Sequence, residues 1–230
     1  MNKSVPSSIC GIIDSTVAES DDLSDAGATA QTATVATMDA VLTMELQRGV
    51  CGDLASLAAL RDEVTVRSVV ENTRRLCVAA RSTARPVVHC TFSIRADRAG
   101  TDFTIPLMGA ARKDPDYLLQ HTAACELMEG LGQAGDHLSD RHHGVSPFGG
   151  TGLNQRLHAL GVTNLVVAGV SLNVGNIGAA IEAVNLGYHV TVAADAVAAL
   201  PGRYGEEVLR NSISAIARVR TVDDIIAAWT

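Results

Sequence analysis

Aromatic side chains are scarce in this 230-residue chain, at 3%, although hydrophobic residues of all kinds reach 47%. A core of that composition has to be built from Ala, Val, Leu and Ile, small aliphatic groups that suit close packing of helices on a sheet. Positive charge is also in deficit. Lys and Arg number 18 against 25 Asp and Glu, for a formal net charge of −7, which argues against a nucleic-acid partner because such a partner needs a basic face. No apolar run reaches the ~18 residues of a membrane span, so no membrane partner is expected. The N-terminus offers Lys3, a short apolar patch from Ile9 to Ile13, and then the acidic Asp21, Asp22 and Asp25. A signal peptide needs a longer apolar centre behind a basic start. Five cysteines, an odd number without paired spacing, fit the reduced thiols of a cytoplasm, which is the expected location.

The length suits one sizeable core and is short for two. Residues 1–36 are rich in Ser, Thr, Ala and Asp without sustained periodicity and read as a flexible tail, or as an arm carrying the apolar Ile12–Ile13 pair. Residues 37–230 form the expected domain, in which strand and helix alternate. Ala40–Leu46 is a short apolar run, read as the first strand, and the spacing of Val66, Val69, Val70, Leu76, Cys77 and Ala80 predicts a helix over 66–82. Val87–Phe92 is a second strand. Residues 94–120, with Gly100, Pro106, Gly109 and Pro115, read as a long surface loop, and loops of that length are often lids over a site. A short helix is expected over 125–131 and a third strand over 137–142. Then follow a helix over 151–160 ended by Gly161, a strand over 164–169, a helix over 173–186 and a strand over 189–194. A helix over 206–219, a strand over 220–222 and a helix over 223–229 close the chain. Repeated strand–helix units with apolar strands imply an α/β fold, a three-layer α/β/α sandwich around a mostly parallel, Rossmann-like sheet, with right-handed crossovers.

Ligands of such open sheets sit beyond the carboxyl ends of the strands. The residues there are Glu45, Phe92, His142 and the segment Ser171–Gly175. AVLTMELQ at 40–47, SPFGGTGL at 146–153, NLVVAGVSLNVGNIG at 164–178 and Asp195-Ala196, in that order, together resemble the isochorismatase-like (cysteine hydrolase) superfamily. The resemblance spans residue 38 to the end. It implies a hydrolase of a small, anionic molecule with no cofactor, assembled as a homo-oligomer, a dimer or tetramer.

The usual site of that superfamily is an Asp, a Lys and a Cys, and all three positions differ here. Glu45 stands at the Asp, His142 at the Lys with Arg141 beside it, and Gly175 at the Cys. Thiolate chemistry therefore lacks its nucleophile, and Cys10, Cys51, Cys77, Cys90 and Cys125 all lie elsewhere. Isochorismatases proper are similar in lacking the Cys, and they use the carboxylate as an acid that protonates a vinyl ether. The resemblance thus makes Glu45 the acid/base, a role that burial of a carboxyl group favours, with Arg141 or His142 supplying positive charge. A plain salt bridge from Glu45 to Arg141 or His142 is the competing reading.

The turn from Ser171 through Asn173 and Val174 to Gly175 offers backbone N–H groups to an oxyanion, while Asn173 is also readable as a helix N-cap. Phe92 and Phe148 are candidate pocket walls, with core packing as the alternative. His142 and His143 point to opposite faces of a strand and cannot easily share one ion, and Ser93–Asp97 lacks the Asp-x-His of the related nicotinamidase metal site. No bound metal is expected. Gly149–Gly152 lacks the Lys-Ser/Thr of a phosphate loop, and Glu45–Gly49 lacks the Gly-x-Gly-x-x-Gly of a dinucleotide site. The remaining alternative is a catalytically inactive relative that binds a small ligand or serves as an assembly subunit.

Overall fold

The computed structural model describes residues 37–230. Strand β1 (Asp39–Met44) opens the chain. The short α1 (Arg48–Cys51), α2 (Ala58–Val66) and α3 (Val69–Ser82) follow it, then β2 (Val87–Phe92), α4 (Gly109–Lys113) and β3 (His137–Arg141). Next come α5 (Leu153–Ala159), β4 (Asn164–Val170), a π-helical turn (Leu172–Asn176) and α6 (Ile177–Asn185). Strand β5 (His189–Ala198), α7 (Gly202–Asn211), β6 (Arg218–Arg220) and α8 (Val222–Ala227) complete it.

All six strands are parallel, in the order β3-β2-β1-β4-β5-β6. The order reverses between β1 and β4, and a crevice opens at such a point beyond the carboxyl ends of the strands. Strand alternation divides the side chains between two faces. Leu42 and Met44 of β1 with Leu165 and Val167 of β4 pack on Leu153 and Leu157 of α5 and Ala179, Ala180 and Ala183 of α6. Val41, Val166 and Ala168 turn the other way, onto Leu76, Cys77 and Ala80 of α3 and Val222 and Ile225 of α8. The alanines keep α6 close to the sheet, so few aromatics are needed.

Between Val41 and the β1 tip, the α3 face carries a polar chain. Thr43 Oγ1 lies 2.7 Å from His89 Nδ1, and His89 Nε2 lies 3.0 Å from Asp136 Oδ2. Arg81 of α3 grips the same carboxylate at 2.9 and 2.6 Å. Burial holds His89 below its ordinary pKa. The neutral ring donates to Asp136 from Nε2 and accepts the Thr43 hydroxyl at Nδ1. Burial raises Asp136, but the bonds from Arg81 and His89 outweigh it and hold this carboxyl below the usual range.

Several element boundaries differ from the sequence-based expectation. Val66 ends α2 rather than opening the next helix, because Ser68 takes a left-handed turn (φ 53°) ahead of Val69. The helix expected over 125–131 is absent. Ala123–Cys125 makes one 3-10 turn, and the chain then extends so that Leu127 bridges Gln47 and the Met128 amide reaches Leu46 O. The helix expected over 206–219 runs over 202–211, starting behind Pro201. Val219 belongs to β6, and Thr221 with Asp224 forms a capping box that starts α8 instead of extending the strand. The expected tail or arm, residues 1–36, lies outside the described residues. Among those described, no helix is long and apolar enough to cross a membrane.

Candidate functional site

The tip of β1 turns sharply at Glu45, whose φ of 46° lies in the left-handed region that a residue with a Cβ seldom adopts. Two neighbours hold it there. The Glu45 amide donates to Cys90 O at 2.9 Å, and the Gln47 amide donates to Glu45 O at 2.8 Å. Gln47 is itself fully buried and fastens β1 to β2. Its Nε2 donates to Phe92 O (3.0 Å) and Cys125 O (3.1 Å), and its Oε1 accepts from the Phe92 amide (2.8 Å).

Glycine at 169 lets β4 approach β1. With φ of 101°, a Cβ there would stand 2.2 Å from Met44 O, so no other residue fits. The Val170–Ser171 peptide is cis, and the π-helical turn then brings Gly175 over the β1 tip. A Cβ built on Gly175 would lie 3.4 Å from Glu45 Oε1, 3.4 Å from Val170 O and 3.5 Å from the Met44 methyl. Gly175 therefore faces the Glu45 carboxylate, with room for a small side chain.

A cavity of about 240 Å³ opens here, lined by Glu45, Phe92, Arg141, Ser171, Asn173, Val174 and Gly175 among others. The loops supply the rest: Val50, Ser56, Leu57 and Leu60 from the β1–α3 connection, Leu107, Met108, Tyr117 and Leu118 from the long segment after β2, and Gly144, Val145 and Leu200. That long segment is better ordered than a bare surface loop, since Ile94, Met108, Ala111 and Leu118 bury with Phe92 in a small core of their own. Burial, with Glu45 nearby, raises the Tyr117 hydroxyl above its usual pKa.

The carboxylate of Glu45 is paired. Arg141 Nη2 lies 2.5 Å from its Oε1, with side chains 4% and 17% exposed respectively. Arg141 also donates to Gly144 O at 3.3 Å and lies 5.2 Å from the centre of the Phe92 ring. Between the two cations offered by the sequence, the structure selects Arg141. His142 follows the end of β3 on the opposite side of the strand and does not line the cavity. Its Nδ1 lies 2.9 Å from Ser93 O and 3.9 Å from Asp140 Oδ2. His143 turns outward too, accepting from the Asp102 amide at 3.2 Å. Neither histidine lines the cavity: alternation past Arg141 turns His142 out, and His143 lies beyond the end of β3, where it meets the Asp102 amide.

Phe148 is likewise not a wall. It packs in the α5–α6 core, 6.2 Å from the Tyr188 ring centre. Asn173 is not an N-cap. It sits within the π-helical turn, behind Ser171, and its buried Oδ1 has no hydrogen-bond partner.

The described thiols stay out of the cavity. Burial pushes Cys51, Cys77 and Cys90 up to about 12 and raises Cys125, which makes them poor nucleophiles. Among the described residues no group of three or more His, Cys, Asp and Glu is placed to share a metal ion.

Sequence reasoning passed over Gln47, the loop residues that roof the cavity, and the strained backbone of Glu45. Gln47 left a signal, since it closes the AVLTMELQ segment. The roof left a weaker one, apolar residues scattered through an irregular stretch.

The fold is shared with known proteins. The isochorismatase domain matches residues 39–224. An uncharacterized isochorismatase family protein of Escherichia coli O157:H7, YecD, is 27% identical over 165 residues, which are 71% of this chain and 85% of that one. A cysteine hydrolase from Pseudomonas syringae pv. phaseolicola superposes with a TM-score of 0.70 at 22% identity, over 83% of this chain and 92% of its own. An isochorismatase family protein from Burkholderia thailandensis superposes at 0.69 with 25% identity, over 84% and 95%.

Proposed function

The chain belongs to the isochorismatase family, and from that premise we propose that it hydrolyses a small molecule in the cavity between the β1 and β4 tips by proton transfer through Glu45, without a thiol nucleophile. The observation that carries this reading is Glu45 itself. A carboxylate on a backbone held in an unfavourable conformation by Cys90 and Gln47, gripped by Arg141 and facing Gly175, is arranged for chemistry at that point rather than for stability.

In this scheme the second Glu45 oxygen, Oε2, accepts a proton from water. The water oxygen attacks the electrophilic carbon of the substrate, and the backbone amides of Asn173 and Gly175 polarise the oxygen that gains charge. The bond to the leaving group then breaks, and the proton passes from Glu45 to that group. Arg141 is a positioning residue, fixing Oε1 and leaving Oε2 to move the proton. The scheme opens with base catalysis by Glu45, paired to Arg141, and so differs in order from the vinyl-ether scheme.

Glu45→Gln tests it against a panel of small amides, esters and enol ethers. Turnover is expected to fall at least about 100-fold while the melting temperature stays close to that of the parent, and unchanged turnover refutes the scheme. One observation favours a second reading, a non-catalytic relative that binds a ligand: Oε1 is already engaged by Arg141. Thermal stabilisation by members of the panel with no turnover of any of them supports that reading.

A further inference from the structure

We propose that the cavity takes an uncharged, largely apolar molecule of about ten non-hydrogen atoms bearing one polar group, not the anion expected from the sequence; the size follows from a volume near 240 Å³, since an apolar cavity of roughly 150 Å³ holds benzene. The inference rests on the reading of the Glu45 cavity as the working site.

Charge decides the class. Arg141 is the one cation among the described lining residues and Glu45 the one anion, and they are bonded to each other at 2.5 Å. An anion entering the cavity meets the Glu45 carboxylate as well as Arg141, so nothing repays the loss of its hydration. A cation faces the converse problem. A neutral molecule gives up no ionic hydration and leaves the pair intact.

The walls agree with this. Leu60, Phe92, Met108 and Leu118 line the interior and are buried. At the rim, Leu57 and Leu107 are 53% and 63% exposed. These two leucines come from separate connecting segments and hold apolar surface in water at the mouth, where an apolar molecule would cover it. Ser56, Ser171 and Asn173 add neutral groups for a single polar function.

Cyclohexanecarboxamide and cyclohexanecarboxylate, matched in shape and different in charge, provide the test by calorimetric titration of the full chain. The parent is expected to bind the carboxamide at least about tenfold more tightly than the carboxylate. Glu45→Gln leaves the Arg141 charge unopposed, so it should reverse the order, the carboxylate gaining at least about tenfold. Arg141→Gln, a second variant in case the first fails to fold, should favour cyclohexylmethylammonium over the carboxamide. Preference of the parent for the carboxylate, binding of none of the probes, or charge variants that keep the parental order overturn the proposal. Because the readout is binding, failure of catalysis registers separately as absence of turnover while the preference for the neutral probe persists.

Discussion

Replacing Gln47 by methionine keeps the volume of the side chain and removes its three hydrogen bonds, those to Phe92 O and Cys125 O and the one from the Phe92 amide. Phe92 is buried, so its amide is left with a desolvated donor and no partner, and Cys125 O loses a donor at a site only partly open to water. A buried polar group stripped of its partner costs about 1–3 kcal/mol, so the loss at Phe92 with a smaller one at Cys125 puts the destabilisation near 2–4 kcal/mol. For a domain of this size that corresponds to a fall in melting temperature of roughly 4–16 °C. The same change unfastens β1 from β2 two residues beyond Glu45, so activity should drop by more than the unfolded fraction accounts for. Calorimetric melts of parent and Gln47→Met, with turnover measured well below both transitions, separate the two effects. A variant within about 0.5 kcal/mol of the parent would mean that these bonds are replaced by water, and the account of the site as a fastened strand tip would be wrong.

Three further outcomes are expected. Burial depresses the pKa of His89 below its ordinary 6.5, so the unfolded chain binds more protons in mild acid. The stability this group contributes is therefore present above about pH 6.5 and lost as the pH falls toward the folded-state value. Melting temperatures should decline over that range in the parent and less steeply in His89→Gln; parallel profiles refute the assignment. Gly175→Cys should fold with little loss, since its Cβ meets neighbours at 3.4 Å or more, and peptide mass spectrometry should find iodoacetamide on residue 175 but not on Cys51, Cys77 or Cys90. A variant that melts far below the parent would show the turn to be closed. Arg141→Met strips Glu45 of its partner and should lower kcat more than it raises KM, because it disturbs the positioning of a proton carrier. An effect confined to KM refutes that role.

The architecture was legible because long apolar strands and small-residue helices repeat along the chain, and that periodicity is set by packing on a two-sided sheet. Boundaries were less so. Ser68 in a left-handed turn and the Thr221–Asp224 capping box are single-residue events that periodicity does not register. At the site, Glu45, Arg141 and Gly175 line one cavity, with Arg141 rather than His142 as the cation. The resemblance puts His142 at the cation position, but position along the chain is blind to which side of the strand a residue occupies. Phe148 illustrates the same gap: a phenylalanine is equally at home in a wall or a core, and only the packing against Tyr188 decides. Gln47 acts through three long-range bonds whose partners are 45 and 78 residues away, a connection no local pattern encodes.

Gly169 has a consequence for how such a protein can change. Where β4 meets β1, main chain touches main chain, and mutation has no side chain there to enlarge or trim. New substrate preferences have to be written elsewhere, on the leucines and the tyrosine that the connecting segments hang over the crevice. The chemistry rests on a floor that selection cannot readily remodel, and the choice of guest rests on a roof that it can.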